Sequence, residues 1–342
     1  MMNLRSFMAD VLKNSHLLSS CYNTFYKVKN GRVYKRELNH RAKLSIFSYK
    51  ELAAEMPYYP LFPIADTNYY GHAYAMCRYS GCTEFRSNIE HGIFLGNRIS
   101  IDERCDTIHS VIAMSPNRVE SFRQHNMNKP IEAVGPYVYY AEPLLNDDEL
   151  SKLKEELGKV LLIFPSHSSR KSNTAYDLNS HLDYVKKYKE EFDTLLVSLH
   201  HIDIVRFPQI AEAYENIGCR IVTSGHKFDY RFLSRLRTII SLADLVIHNS
   251  IGTQIGHCAI LEKKQILIMD QSMIDIIKKS DVYDNKEREI AYSQTMEIYE
   301  ALREDSKLSE DEKLQILNRF YGISCVKTPD QLKKIIERLN QL

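Results

Sequence analysis

Four short polar stretches carry residues that can grip an anion or move a proton. They are "PSHSSR" at 165–170, "HHID" at 200–203, "GHKFD" at 225–229 and "NSIGT" at 249–253. Each follows an apolar run rich in Val, Ile or Leu, and each therefore reads as the loop leaving a strand. In the last, Ser250, Gly252 and Thr253 offer hydroxyls and backbone N–H groups where a helix begins, and a helix dipole there favours negative charge. Gly252 lets backbone approach a phosphate closely. Ser166, His167, Ser168 and Ser169 form a second donor cluster, and Asn249 and His226 are the remaining candidates for the nucleotide pocket. Plainer tasks fit the same residues: Ser250 as a helix N-cap, and "PSHSS" as a hydrogen-bonded loop. His200, His201, Asp203, His226 and Asp229 also have the chemistry of metal ligands, and a bound metal could activate water. No recognised ligand spacing such as H-E-x-x-H accompanies them. His248 has apolar neighbours and reads as a core histidine.

The first half supplies a different chemistry. "NIEHGIFLG" places Glu90, His91 and Gly92 in sequence. A histidine near a carboxylate can serve as a general base. Neighbouring residues on a strand point to opposite faces, so Glu90 and His91 need not meet. His91 is the expected base and Glu90 the second catalytic candidate. "DTNYYGHAYAMCRYSG" brings Tyr70, His72, Tyr74 and Arg78, aromatic and cationic groups suited to stacking on a sugar and meeting an anionic acceptor. A tyrosine-rich structural loop would look the same.

The elements that must position these residues are clearest in the second half. Strands are expected at Val160–Phe164, Thr194–Leu199, "CRIVTS", "DLVIHN" and "QILIMD". Helices separate them: "AYDLNSHLDYVKKYKEEF", "PQIAEAYENIG" with its early Pro208 and final Gly218, "YRFLSRLRTIISLA" and "SIGTQIGHCAILEKK". Such alternation implies a doubly wound parallel sheet covered on both faces. In such sheets the loops at the carboxyl ends of the strands share one edge, where ligands bind. The first half is less regular, with a strand and helix at "HSVIAMS" and "PNRVESFRQHN". Pro136 and Pro143 interrupt structure before a helix opens near Asp147. The expected division is 1–142 and 147–342, and "PDQLKKIIERLNQL" reads as an amphipathic helix.

Bulk properties agree with a globular α/β protein. The chain has 342 residues, 44% of them hydrophobic, and a formal net charge of +1, so no global field points to nucleic acid. The first residues lack the apolar core and cleavage site of a secretory signal, and no apolar run approaches the roughly 20 residues that span a bilayer. Seven scattered cysteines, an odd number, read as reduced thiols in a cytosolic protein.

"ADLVIHNSIGTQIGHCAILEKKQILI" resembles the donor-domain pattern of GT-B glycosyltransferases that build bacterial surface polysaccharides, among them CMP-sugar transferases and CDP-glycerol glycerophosphotransferases. "EHG" at 90–92 is similar to a His-Gly in the acceptor domain of the latter group. The resemblance implies two Rossmann-like domains facing a cleft, with donor phosphate at Ser250, Gly252 and Thr253 and His91 as base. "FPSHSS" departs from the His-Pro motif of the CMP-sialic acid enzymes. No acidic-acidic-Gly motif is present in the first half, so the usual base of that family does not carry over. The expectation is a cytoplasmic, inverting, metal-independent glycosyltransferase without a cofactor. It would move a sugar from a nucleotide sugar to a glycan or lipid-linked acceptor in capsule or lipopolysaccharide synthesis. Peripheral contact with the inner face of the membrane is compatible with that task, and the oligomeric state stays open. Two other readings stand beside it: a metal-dependent hydrolase using the histidine-rich loops, and a non-catalytic nucleotide-sugar-binding protein.

Overall fold

The computed structural model describes residues 14–99, 101–105, 107–168, 176–269 and 285–342. In the first half, strands β1 (Asn88–Ile89), β2 (Val111–Ala113) and β3 (Ile131–Ala133) form a parallel sheet in that order. In the second, β4 (Val160–Phe164), β5 (Thr194–Ser198), β6 (Arg220–Val222), β7 (Leu245–His248) and β8 (Lys264–Leu267) form a parallel sheet ordered β6-β5-β4-β7-β8. The α/β class and the paired Rossmann-like sheets expected from the sequence are both present.

The second sheet forms because its strands are uninterrupted apolar runs. All five residues of β4 are buried, as are all four of β7. That is the signature of strands covered on both faces. Helix ends carry local signals too. The helix Asp147–Leu157 opens with a capping box between Asn146 and Glu149. The helix Pro208–Asn216 has proline in its first turn, and Gly218 just beyond takes φ +91°.

The two halves exchange segments. The long helix His16–Arg41 and the short helix Tyr49–Ala53 belong to the first half by sequence. Yet Tyr34 donates its hydroxyl proton to the Phe228 carbonyl at 2.9 Å, and the His226 N–H reaches the Leu52 carbonyl at 3.0 Å. Patterning gives little sign of His16–Arg41, since only Asn23, Tyr34, Leu38 and Arg41 along it are buried. In the other direction, the terminal helix Pro329–Asn340 lies on His72–Ser80, and Glu310–Tyr321 lies on Pro116–Gln124. The Arg86 N–H donates to the Asn340 side chain at 2.9 Å, and the Lys327 N–H to the Tyr140 hydroxyl at 3.0 Å. One core joins both sheets, with Ile112 and Val134 in the same cluster as Leu162 and Val246.

A buried charge cluster fixes the first exchange. Arg41 donates to the Leu52 and Ala54 carbonyls at 2.7 and 2.9 Å, and burial holds its guanidinium pKa below the usual value. Beside it Arg235 pairs with Asp229 at 2.7 Å, both side chains fully buried. Asp229, a possible metal ligand by sequence, is therefore held by Arg235. All seven cysteines are free thiols. Among the described residues no helix is long and apolar enough to cross a membrane.

Replacing one member of a buried ion pair strands the other charge. Arg235→Leu should lower stability by about 3–5 kcal/mol in denaturant unfolding. The double variant Arg235→Leu/Asp229→Leu should recover much of that loss, because an apolar pair leaves no unpaired charge.

Candidate active site

In the second sheet the chain passes from β4 outward through β5 to β6, then returns to add β7 on the other side of β4. Loops leaving β4 and β7 therefore diverge and open a crevice. The strand ends are in register, Phe164 opposite His248. Asn249 fastens the two loops together: its side-chain oxygen accepts the Ser166 N–H, and its own N–H reaches the Phe164 carbonyl at 3.4 Å. The β4 loop is tied again at Ser168, whose N–H donates to both carboxylate oxygens of Asp203 at 3.1 and 3.2 Å. Burial raises the Asp203 pKa despite these bonds.

A cavity of about 500 Å³ occupies this crevice. From the second half come Ser166, His167, Ser198, His200, Thr223, Ser250, Gly252, Thr253 and His257; from the first come Tyr70, His72, His91 and Gly92. The volume falls in the range of small-molecule sites, roughly 300–1,000 Å³. Candidates from three of the four strand-end loops, Ser166 and His167, His200, and Ser250, Gly252 and Thr253, thus converge with His91 around one space.

Gly252 is the N-cap of the helix Thr253–Ile260, and no side chain caps it. Ser250 is therefore not the cap, and its side chain is left to the cavity. The first N–H groups of a helix have no partner within it, so this end presents donors and a positive dipole together. Gly252 has φ −161°, an extended conformation open to any residue. What the glycine provides is room for Gln254, whose amide folds back to the Ser250 carbonyl at 3.3 Å. The Thr253 hydroxyl oxygen accepts the Ile93 N–H at 3.2 Å and keeps its own proton to donate.

His91 stands on the facing wall, its ring 4.9 Å from Tyr69, 6.0 Å from Tyr70 and 6.4 Å from His72. Tyr70 holds φ +58°, a left-handed conformation unusual for an aromatic residue. Its N–H is clamped to the Lys227 carbonyl at 2.7 Å, and its ring packs 4.9 Å from Phe232. Backbone strain of this kind, roughly 1–3 kcal/mol, persists where surrounding structure imposes it.

Several expected residues lie elsewhere. Glu90, just past the end of β1, is absent from the cavity lining, and its fully buried carboxylate accepts from Arg118 at 2.5 and 2.9 Å. With no path to the cavity it is a structural ion-pair partner. Asn249 and Ser168 are buried supports of the loops. His226 is buried behind the site, 3.6 Å from Glu55, and Tyr74 stacks on Tyr230 at 4.1 Å. Arg78 sits on the surface near Glu142. Ser169 lies outside the described residues. His167, His200, His201 and His226 form a row with successive ring separations of 4.5, 4.2 and 4.6 Å. Among the described residues no three His, Cys, Asp or Glu side chains are placed to hold a metal ion. His248 is a core residue stacked on Phe164 and hydrogen-bonded to Gln265.

The sequence reading missed Ser198, Thr223 and Ser224, although a hydroxyl ending an apolar strand run was a usable signal. It also assigned nothing to His257, which lies four residues after Thr253 and hence on the same helix face. His72, His200 and His257 line the cavity with buried ring nitrogens that have no protein partner: Nδ1, Nε2 and Nδ1 respectively. Burial lowers all three pKa values, His257 to about 3, and neighbouring histidines add to the effect at His72 and His200. They are neutral imidazoles near pH 7; at His200, where Nδ1 accepts the Ile202 N–H, the free Nε2 is the N–H donor.

No family model and no curated protein sequence matches the chain. Among solved structures it is similar to the wall teichoic acid polymerase TagF, at 16% identity over 75% of this chain and 67% of that one, with a TM-score of 0.43. It is similar to S. aureus MnaA in complex with UDP, at 13% identity over 68% and 60% with a TM-score of 0.33. The UDP-GlcNAc 2-epimerase from Neisseria meningitidis bound to UDP-GlcNAc gives 12% identity over 79% and 73%, with a TM-score of 0.33. All three TM-scores fall below 0.5, so the fold rests on the chain's own strand order and the chemistry on its own residues.

The buried histidines make stability depend on pH. His72, His200, His248 and His257 all bind protons more weakly folded than unfolded, where imidazole titrates near 6.5. Their contribution is intact above that pH and declines as pH falls below it, by up to about 1.4 kcal/mol per pH unit for each histidine. For His248 and His257 the decline continues to folded-state values of about 4 and about 3. The melting temperature should be level from pH 8 to 7 and drop by several degrees by pH 5; a flat profile would contradict the buried neutral assignment.

Proposed function

We propose that the chain is a nucleotide-sugar-dependent glycosyltransferase of bacterial surface-polysaccharide synthesis, inverting and independent of metal. One observation carries this reading: His91, from the loop after β1, shares a single cavity with an uncapped helix start and hydroxyl-bearing loops at the switch point of the second sheet. A base and an anion cradle facing each other across a cleft are what transfer from a phosphate leaving group requires.

In this mechanism the donor diphosphate lies on the Thr253 end of the helix, with Ser250, Thr253 and Ser166 as hydroxyl donors and His167 at the rim. His91 takes the proton of an acceptor hydroxyl as that oxygen attacks the anomeric carbon. The bond from the anomeric carbon to the donor phosphate breaks, and its electron pair leaves on the phosphate oxygen. Helix N–H groups and hydroxyls stabilise the new charge without a cation. Attack from the face opposite the leaving group inverts the anomeric centre. Tyr70 and His72 flank His91 and orient a glycan or lipid-linked acceptor.

A thermal-shift series with CMP, CDP, UDP, GDP and their sugar conjugates tests the donor assignment. One nucleotide should raise the melting temperature, because a ligand that binds only the folded state stabilises it; no shift with any of them counts against the transferase. With that donor, His91→Ala should reduce turnover by about 10²–10⁴-fold while leaving the thermal shift in place. Unchanged turnover would dismiss His91 as base, and binding without any transfer by the unmodified chain would favour a non-catalytic sugar-nucleotide binder.

A further inference from the structure

The formal net charge of +1 conceals a strongly polarised molecule. The helix His16–Arg41 holds six Lys or Arg and one Glu, a net of +5, which leaves −4 for everything else. It also carries six of the nine large hydrophobic side chains exposed among the described residues, including Leu17 at 73%, Phe25 at 56% and Val28 at 82% exposure. These features are ordered along the helix. Leu18, Tyr22, Phe25, Lys29, Arg32 and Arg36 follow alternating steps of four and three residues, and all six are exposed. Such spacing traces one stripe down a helix. Its first half is apolar and its second half is cationic.

The inner face explains why the stripe faces outward. The Asn23 side chain donates to the Pro63 carbonyl at 2.7 Å, Asn30 to the Tyr58 carbonyl at 2.6 Å, and Tyr34 to the Phe228 carbonyl at 2.9 Å. The helix is thereby fixed on the body of the protein with its apolar and basic stripe turned away. Where the two halves of the stripe meet, the Lys29 ammonium lies 5.6 Å from the Phe25 ring and 5.8 Å from the Tyr26 ring. Rings with an ammonium over their faces are suited to a boundary between hydrocarbon and charge.

We propose that this face docks the protein on an anionic lipid surface, with the helix lying in the plane of the interface. Leu17, Leu18, Phe25 and Val28 enter the acyl boundary, and Lys29, Arg32, Lys35 and Arg36 meet the headgroups. The charge pattern selects this occupant over a second copy of the chain. Parallel pairing of two such helices sets cationic halves against each other, and antiparallel pairing buries charged side chains under apolar ones. The negative remainder of the molecule is repelled by the same surface, so attraction and repulsion both orient the protein with this helix down. The inference rests on the helix alone and stands apart from the glycosyltransferase reading.

Co-sedimentation of the full chain with vesicles tests it. Vesicles of phosphatidylcholine mixed with phosphatidylglycerol should bind the chain, phosphatidylcholine alone far less, and raising salt from about 0.1 M to about 0.5 M should weaken the binding. Lys29→Glu/Arg32→Glu/Arg36→Glu should reduce partitioning at least about tenfold, and Phe25→Ser/Val28→Ser should reduce it at either salt concentration. These side chains are exposed, so circular dichroism and the melting temperature should match the unmodified chain, as should any thermal shift with nucleotides. Absence of vesicle binding, or binding unaffected by the charge reversals, overturns the proposal. So does a dimer in light scattering that Phe25→Ser/Val28→Ser dissociates, or retention of acidic protein or nucleic acid in place of vesicles.

Discussion

The arrangement of the site depends on how closely the loop after β1 approaches the start of the helix Thr253–Ile260. A Cβ built on Gly92 would lie 1.8 Å from the Thr253 hydroxyl oxygen, so only glycine permits the contact as it stands. With glycine there, the Ile93 N–H reaches that oxygen at 3.2 Å and the two halves of the molecule meet through backbone and hydroxyl. His91 is the residue immediately before this contact. Its distance from the start of that helix is therefore set by a covalent neighbour, which leaves little freedom for the proposed base to drift from the proposed leaving group.

That contact would be weak if it alone joined the halves. The exchange of segments removes the problem. Arg41 and the Leu52 carbonyl tie the N-terminal stretch to the loop carrying His226, while Pro329–Asn340 returns to cover His72–Ser80. Both exchanges are anchored by groups that need partners because they are buried, above all Arg41, Arg235 and Asp229. Burial acts differently on the histidines. His72, His200 and His257 are buried and have no protein partner for one ring nitrogen, so these three rings are uncharged and incompletely hydrogen-bonded near neutral pH.

The same bonding separates the two surfaces of the helix His16–Arg41. Its inner face spends asparagine and tyrosine side chains on backbone carbonyls of the body, so specificity on that side comes from hydrogen bonds more than from apolar area. Exposed aliphatic and aromatic side chains accordingly remain on the other side. A helix that folded onto the body through hydrophobic contact would have carried the opposite pattern.

The sequence by itself determined the second sheet: apolar runs such as "VLLIF" and "LVIH" can only be satisfied when covered on both faces, and the loops after them had to be polar. It also singled out His91 and the Ser250–Thr253 turn as candidates, which the packed chain brings to one cavity, because residue type and position after a strand are local properties. Long-range packing decided the rest. Glu90 read as a partner for catalysis until Arg118, 28 residues away, took its carboxylate. Asn249 and Ser168 read as ligand donors but tie one loop to the next, and Asp229 belongs to Arg235. His257 lacked any local cue beyond helical spacing from Thr253, and Tyr74 and Arg78, four residues apart on the helix His72–Ser80, share the face opposite its buried one. Neither the exchange of helices between halves nor the closeness of Gly92 to Thr253 leaves a periodic trace in sequence. Each depends on which surfaces meet after the elements have formed, and that is a property of the packed chain.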